Sequence, residues 1–425
     1  MKHSRHHRVN GYSLPFAMFV FIVIIILSGT LIMAAYHNGI ILNRILLIER
    51  LESNSLSAIH IMLSNPNQYN YGETIRYSLY DEYADSVSLK KEQWGAFDLL
   101  QANAYCKNLS KKHSIMVGSY QYDSTSIALM IPDQGKSIAL VGNVNISGTC
   151  QVPESGFSQP SIEGKNYTGK EIKSIKKKSD TKLPRLTSQL ETLKLSYAIN
   201  QFVNESNNLI QYDQWEKDSL CNSFLSDTLS VLYSKNKIHI GGKTIKGKVI
   251  VISESKIVLQ SSANISDIIC FAPYIMVEDK FSGNLQMYAS DSIVISPNCQ
   301  LKYPSIIGIN CKEEPSHITI GKGSQLYGVV FLSSTKAENQ ASHSILSIQE
   351  GACVKGQVYS NEYTEIKGNV WGSVYTNKFI LRTQVSIYEN TIMDADIDLH
   401  KLSKDYVGVD LTEEGTTGGV IKWLY

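Results

Sequence analysis

The feature that most restricts the fold of this chain is an aliphatic spacing repeated through its C-terminal half. Ile257-Val-Leu259 is followed eight residues on by Ile265, Ile293-Val-Ile295 by Leu301, Ile318-Thr-Ile320 by Leu326, and Leu346-Ser-Ile348 by Val354. Shorter copies start at Ile238, Ile275 and Thr364, and Phe379-Ile-Leu381, reaching Ile387, closes the series. Most copies start about eighteen residues after the last; the two longer gaps hold the polar runs CKEEPSH and SSTKAENQASH. Glycine recurs after the second aliphatic group, as in Gly328-Val-Val330 and Gly356-Gln-Val358, and Asp267 takes that place in an earlier copy.

This spacing predicts a mainly β fold, a β-solenoid over 238–390. One coil cannot bury its own aliphatic face. Stacked coils align Ile, Val and Leu in inward columns while their backbones hydrogen-bond up and down at about 4.8 Å per coil. Glycine is expected where the backbone turns with positive φ or runs close to its neighbour. The corner candidates are Gly148, Gly247, Gly283, Gly328, Gly356, Gly368 and Gly372. An irregular β-sandwich, the competing reading, places turn signals every 8 to 12 residues or so. A further copy, Ile138-Ala-Leu140 reaching Ile146, makes 138–152 an isolated coil ahead of an insertion.

The stretch GACVKGQVYSNEYTEIKGNVWGSV resembles the bactofilin, or polymer-forming cytoskeletal, family through Gly351, Val354, Gly356, Val358, Ile366, Gly368, Val370, Gly372 and Val374. The resemblance covers about 316 to 390 and extends towards 238. It implies a right-handed β-helix and a capacity for end-to-end assembly. Bactofilins are typically small and cytoplasmic, whereas this chain starts with an apolar segment.

That segment carries no Asp, Glu, Lys or Arg from Val9 to Asn43, and 14–36 is long enough to cross a hydrocarbon core, which takes about 20 apolar residues. Lys2, Arg5 and Arg8 precede it, so the positive-inside bias puts a leader, 1–13, in the cytoplasm and the bulk of the chain outside, in the periplasm or at the surface. A cleaved secretory signal, the competing reading, has an apolar core of only about 7 to 15 residues. Gly11-Tyr12-Ser13-Leu14 after a basic leader resembles type IV pilin-like proteins, and the helix is expected to run on amphipathically through 37–65. The resemblance implies leader removal between Gly11 and Tyr12 and a helix packed into a bundle. Phe16 stands where most of that family places a glutamate, an absence that fits its minor, initiating members.

Around the rod, 66–137 is read as a small α+β segment, with SVSLKKEQWGAFDLLQANAYCK as its helical text. An insertion, 153–237, holds a polar loop with Lys176 to Lys178, then a helix on Leu186, Leu190, Leu193 and Tyr197 that covers the first coil. Residues 391–425 form a C-terminal cap and tail, whose VIKWLY is expected to dock as a strand on this protein or on a partner.

Forty basic residues against 39 acidic leave no field to gather nucleic acid. Seven cysteines (Cys106, Cys150, Cys221, Cys270, Cys299, Cys311, Cys353) contain no CxxC pair, which excludes a zinc signature and leaves one or two disulfides or scattered buried thiols. A glycan-cleaving β-helix needs carboxylates that converge from adjacent coils; Glu278, Asp279 and Asp291, with Lys280 near, are the candidates, and a plain polar corner is the simpler account. His239, His317 and His343 fall at dissimilar repeat positions, against a metal site. No catalytic, cofactor-binding or metal-binding residue is expected, and no small-molecule ligand. The reading is a single-pass, non-enzymatic scaffold that self-assembles or binds envelope partners. A minor pilin-like subunit and a glycan-binding or glycan-cleaving β-helix are the alternatives.

Overall fold

The structure, a computed structural model, describes residues 13–78, 85–122, 126–170, 172, 174–204, 208–311, 315–335, 343–412 and 418–424. It is mainly β, with one long apolar helix at the N-terminus. The leader with Gly11 and Tyr12, and the middles of CKEEPSH, SSTKAENQASH and TEEGTTGG, lie outside the described residues.

Helix α1, Ser13–Ser64, spans 52 residues without a break, a length of about 78 Å. Its buried residues are Leu51, Asn54, Ser55, Ala58, Ile59 and Met62, alternating steps of three and one that trace a single stripe. The stripe packs on an antiparallel sheet through Leu89, Leu100, Ala102, Ala104 and Ile115. That sheet runs Thr74–Tyr77, Ser86–Trp94, Phe97–Cys106, Leu109–Tyr120. Two C-terminal strands, Val407–Gly408 and Gly418–Leu424, also pair with Leu109–Tyr120, so the described part of VIKWLY, up to Leu424, docks within the chain.

The helical text expected at 86–106 is therefore a hairpin. Its Lys, Glu, Gln, Leu and Ala suit helices, but Val87, Leu89, Lys91 and Trp94 are buried on a strand whose neighbours are half-exposed, and Gly95, at φ +62, makes the turn. Two-sided burial overrides local preference here: Leu100 faces the helix, while Leu99 faces the other large sheet.

That other sheet is parallel and closes on itself. The aliphatic copies pair residue by residue: Ile238 with Ile257, then Ile275, Ile293, Ile318, Leu346, Thr364 and Phe379. A second column runs from Leu301 through Leu326, Val354, Val370 and Ile397 to Ile146. A third, Leu232, Val251, Cys270, Met287, and then Ile307, Val330, Val358 and Val374, continues to Leu129 and Cys150. These side chains form one continuous core, and each fully buried Ile, Leu or Val contributes about 1.5–3 kcal/mol.

Several boundaries differ from the sequence reading. Pairing starts at Leu209–Gln211 and Ser219–Asn222, ahead of 238. The coil at 138–152 lies at the far end of the stack: Asn145–Ser147 pairs with Asp396–Asp398, and Ile138–Val141 with Thr391–Met393. Thus 391–398 is part of the stack, and no cap. Lys176–Lys178 is an exposed strand, paired in parallel with Thr149–Val152, in place of a solvated loop. Ile387 is 66% exposed, because the chain turns back after Phe379 and pairs antiparallel with itself, Arg382 facing Ile387.

The expected helix at 186–197 is two short ones, Ser188–Thr192 and Leu195–Ala198, broken where Lys194 is extended. They lie along the side of the stack, packed with Val231, Tyr233, Ile250 and Ile269. Asn310 Nδ2 donates to the carbonyls of Leu190 and Leu193 at 2.7 and 3.2 Å, which the break in the helix frees.

Candidate functional site

From Ser13 to Leu46 every residue of α1 is exposed, among them Phe16, Phe19, Phe21, Leu31, Ile32 and Met33. This is the largest apolar surface among the described residues, about 50 Å of helix, and water alone is a poor partner for it. A window of 18 residues in it has a mean hydropathy of 2.8, enough by length and composition to cross a membrane. The apolar character outlasts Tyr36-His37-Asn38, because Ile40, Ile41, Leu42, Ile45 and Leu46 are each 45–58% exposed.

The buried half of the same helix is tied to the stack through the antiparallel sheet. Asp267, at φ +62, is the centre of the joint. Its carbonyl accepts Trp94 Nε1 at 3.3 Å, and its carboxylate accepts Lys422 Nζ at 2.7 Å, Asn284 Nδ2 at 2.7 Å and Ser266 Oγ at 2.8 Å. One rung on, the backbone N–H of Ala96 donates to Gln286 Oε1 at 2.9 Å and to Tyr288 Oη at 3.1 Å. Further along, Gln357 Nε2 donates to the carbonyl of Val409 at 3.0 Å, so the C-terminal segment is held as well.

A polar knot around the buried Lys91 sits at this sheet. Asp98 accepts Tyr71 Oη at 2.7 Å and lies 3.1 Å from Lys91 Nζ. Burial, and then the Asp98 charge, push the Tyr71 hydroxyl up from its usual range. Burial also raises the Asp410 carboxyl; a Ser119 hydrogen bond opposes this and Asp98 adds to it. Sequence reasoning missed this group because Asp98 and Asp410 are three hundred residues apart. The available signal was Lys91, a lysine on the buried parity of an alternating strand.

The glycines fall into two kinds. Gly356 (φ +141) and Gly372 (φ +149) are paired, and a Cβ on Gly372 would lie 1.9 Å from the Gly356 carbonyl oxygen, so only glycine fits. Gly148, Gly247 and Gly328 also have positive φ, whereas Gly283 and Gly368 do not. Gly283 makes room for the ring of Phe281, which is fully buried in the core.

Glu278 and Asp279 follow the strand segment that ends at Val277, whereas Asp291 precedes Ser292, which pairs with Tyr274 at its start. The carboxylates stand at opposite ends of that segment, roughly 15 Å apart along it, and do not converge. Asp291 accepts Ser290 Oγ, and Glu278 lies 3.8 Å from His239 Nε2. His343 pairs with Glu362 at 3.2 Å, and His317 stands apart with burial lowering its pKa. Among the described residues no group of three His, Cys, Asp or Glu gathers as for a metal. All seven cysteines are free, and six are buried.

No known protein family, curated protein or solved structure matches this chain.

Proposed function

We propose that the protein is a membrane-anchored, non-enzymatic scaffold, in which α1 holds a right-handed β-solenoid head outside the cytoplasm as a platform for its own copies or for envelope partners. The observation that carries this reading is the continuity of α1. The same unbroken helix offers a fully exposed apolar half and a half buried on the sheet that is clamped to the stack. The parallel pairing of one aliphatic copy on the next, with three inward columns, supports the solenoid.

A specific observation favours a second reading, the minor pilin-like subunit. The charge-free helix from Ser13 to Asn43 is about 46 Å long, against about 30 Å of hydrocarbon core. The excess, towards Ile40 to Asn43, suits packing against other helices. The test is the mature N-terminus of membrane-fraction protein, by mass spectrometry, with protease shaving of intact cells. An intact Met1 on a membrane-bound chain supports the anchored scaffold, and a chain that starts at Tyr12 selects the pilin-like reading. A soluble chain lacking α1 would overturn both.

A further inference from the structure

Under the turn of the 86–106 hairpin lies a cavity of about 460 Å³, within the range that holds small organic molecules. Its main walls are the hairpin at Glu92 to Gly95, the insertion at Leu193 to Phe202, and outward side chains of the parallel sheet, Ile250, Ile269 and Phe271; Tyr71 and Gly72 and the segment with Asp227 and Leu229 complete it. The gap has a local cause. Gln286 and Tyr288 reach the hairpin with hydrogen bonds to Ala96, but the residues in register with them on the two preceding rungs are Ile269 and Phe271, then Ile250 and Ile252. These carry no polar atom that reaches the hairpin.

The charge around this space is unbalanced. Lys248, with a side chain only 8% exposed, places Nζ 3.0 Å from Glu92. Glu92 is shared with a second ammonium group, that of Lys90, and these contacts hold its carboxyl below the usual range although burial pushes it up. Asp227, the other acid on the wall, is engaged by Lys112 at 3.0 Å. One carboxylate thus serves two lysines, and the buried one lines a cavity whose remaining walls are mostly aromatic and aliphatic, with Gln93, Gln201 and Asp227 as the other polar side chains. A buried cation with half a counter-ion is costly, and an anionic group beside it relieves that cost.

We propose that this cavity binds a small amphipathic monocarboxylate, its head on Lys248 and its tail against Trp94, Phe202 and Phe271. This departs from the expectation, drawn from sequence motifs, that the chain takes no small-molecule ligand, and it does not depend on the membrane reading. The test is equilibrium dialysis of radiolabelled octanoate against the full chain held in amphipol, with octanol as the neutral comparison. Saturable one-to-one binding of octanoate is expected, at least tenfold tighter than that of octanol. Lys248→Met should weaken octanoate at least tenfold and leave octanol unchanged. Glu92→Gln, which frees Lys248 from its competing carboxylate, should tighten octanoate several-fold, and it keeps the proposal testable where Lys248→Met does not fold. Non-saturable uptake, equal binding of acid and alcohol, or an octanoate affinity that Glu92→Gln leaves unchanged or weakens would overturn it.

Discussion

The carboxylate of Asp267 holds the ammonium group of Lys422 at 2.7 Å across 155 residues of sequence. By the spacing of the repeat the aspartate takes the place of a glycine, and it has a positive φ, +62, as Gly247, Gly328 and Gly356 do. Aspartate tolerates that conformation better than most side chains, and here it ties the last strand to the stack.

Two variants separate the clamp from the corner. Lys422→Met removes the ion pair alone; because Lys422 is 41% exposed, the cost should be about 0.5–1 kcal/mol. Asp267→Ala also loses the Asn284 and Ser266 hydrogen bonds and adds about 1–2 kcal/mol of left-handed strain. Denaturant unfolding should rank Asp267→Ala clearly below Lys422→Met; equal losses would mean that the corner is unstrained.

Glu365 is the most enclosed carboxylate of the ion pairs, its side chain 2% exposed, with Arg382 at 2.6 Å, Lys367 at 2.9 Å and Ser347 Oγ at 2.9 Å. Burial pushes its pKa up, but these partners outweigh burial and hold it below the usual value. A lowered folded-state pKa means that the stabilisation is complete above the unfolded value of about 4.3 and is lost as pH falls through the folded value. Glu365→Gln should cost about 2 kcal/mol at neutral pH, and the gap between the variants should close on acidification. A gap that persists unchanged at low pH would show that packing, and not charge, is what the substitution removes.

At Gly356 an added Cβ would meet the Gly328 carbonyl oxygen at 2.0 Å and Tyr406 Oη at 2.5 Å, whereas at Gly351 the nearest atom is 3.7 Å away. Both have positive φ. Gly351→Ala should therefore cost only about 1 kcal/mol of conformational strain, and Gly356→Ala about 3 kcal/mol or more. Melting temperatures of the two variants check this, and similar values would contradict the close approach.

The exposed strand Lys176–Lys178 ends the parallel stack with a row of charge, one of the recognised protections for an open β edge. Replacing all three lysines with threonine should leave the fold intact and make the protein associate, seen as a concentration-dependent rise in light scattering. If the threonine variant remains as dispersed as the parent chain, charge is not what protects this edge.

The stack was readable because inward residues must be aliphatic at every level, so Ile238 to Phe379 announce their own register. The glycine at Gly356 and the aspartate at Asp267 could be placed for the same reason. The hairpin at 86–106 was not readable, since Lys90, Lys91, Glu92 and Gln93 suit a helix and the burial that decides between strand and helix comes from α1 on one face and the parallel sheet on the other. The position of 138–152 was equally hidden: its repeat pattern shows that it joins the stack, but nothing local says at which end. The cavity beside Lys248 is a gap between several segments, and a gap has no sequence pattern.

That placement has a kinetic consequence. Leu129 pairs with Cys150 on one side and with Val374 on the other, so the strand made early in synthesis lacks its second neighbour until roughly 250 more residues have been added. At about 5–20 residues per second that is a delay on the order of ten to fifty seconds, during which Leu129, Ile146 and Cys150 lack the surface that later buries them. Contacts so distant along the chain slow folding. The far end of the stack is therefore finished last although its strands emerge first, and any factor that shelters nascent apolar strands would act there, upstream of the repeat.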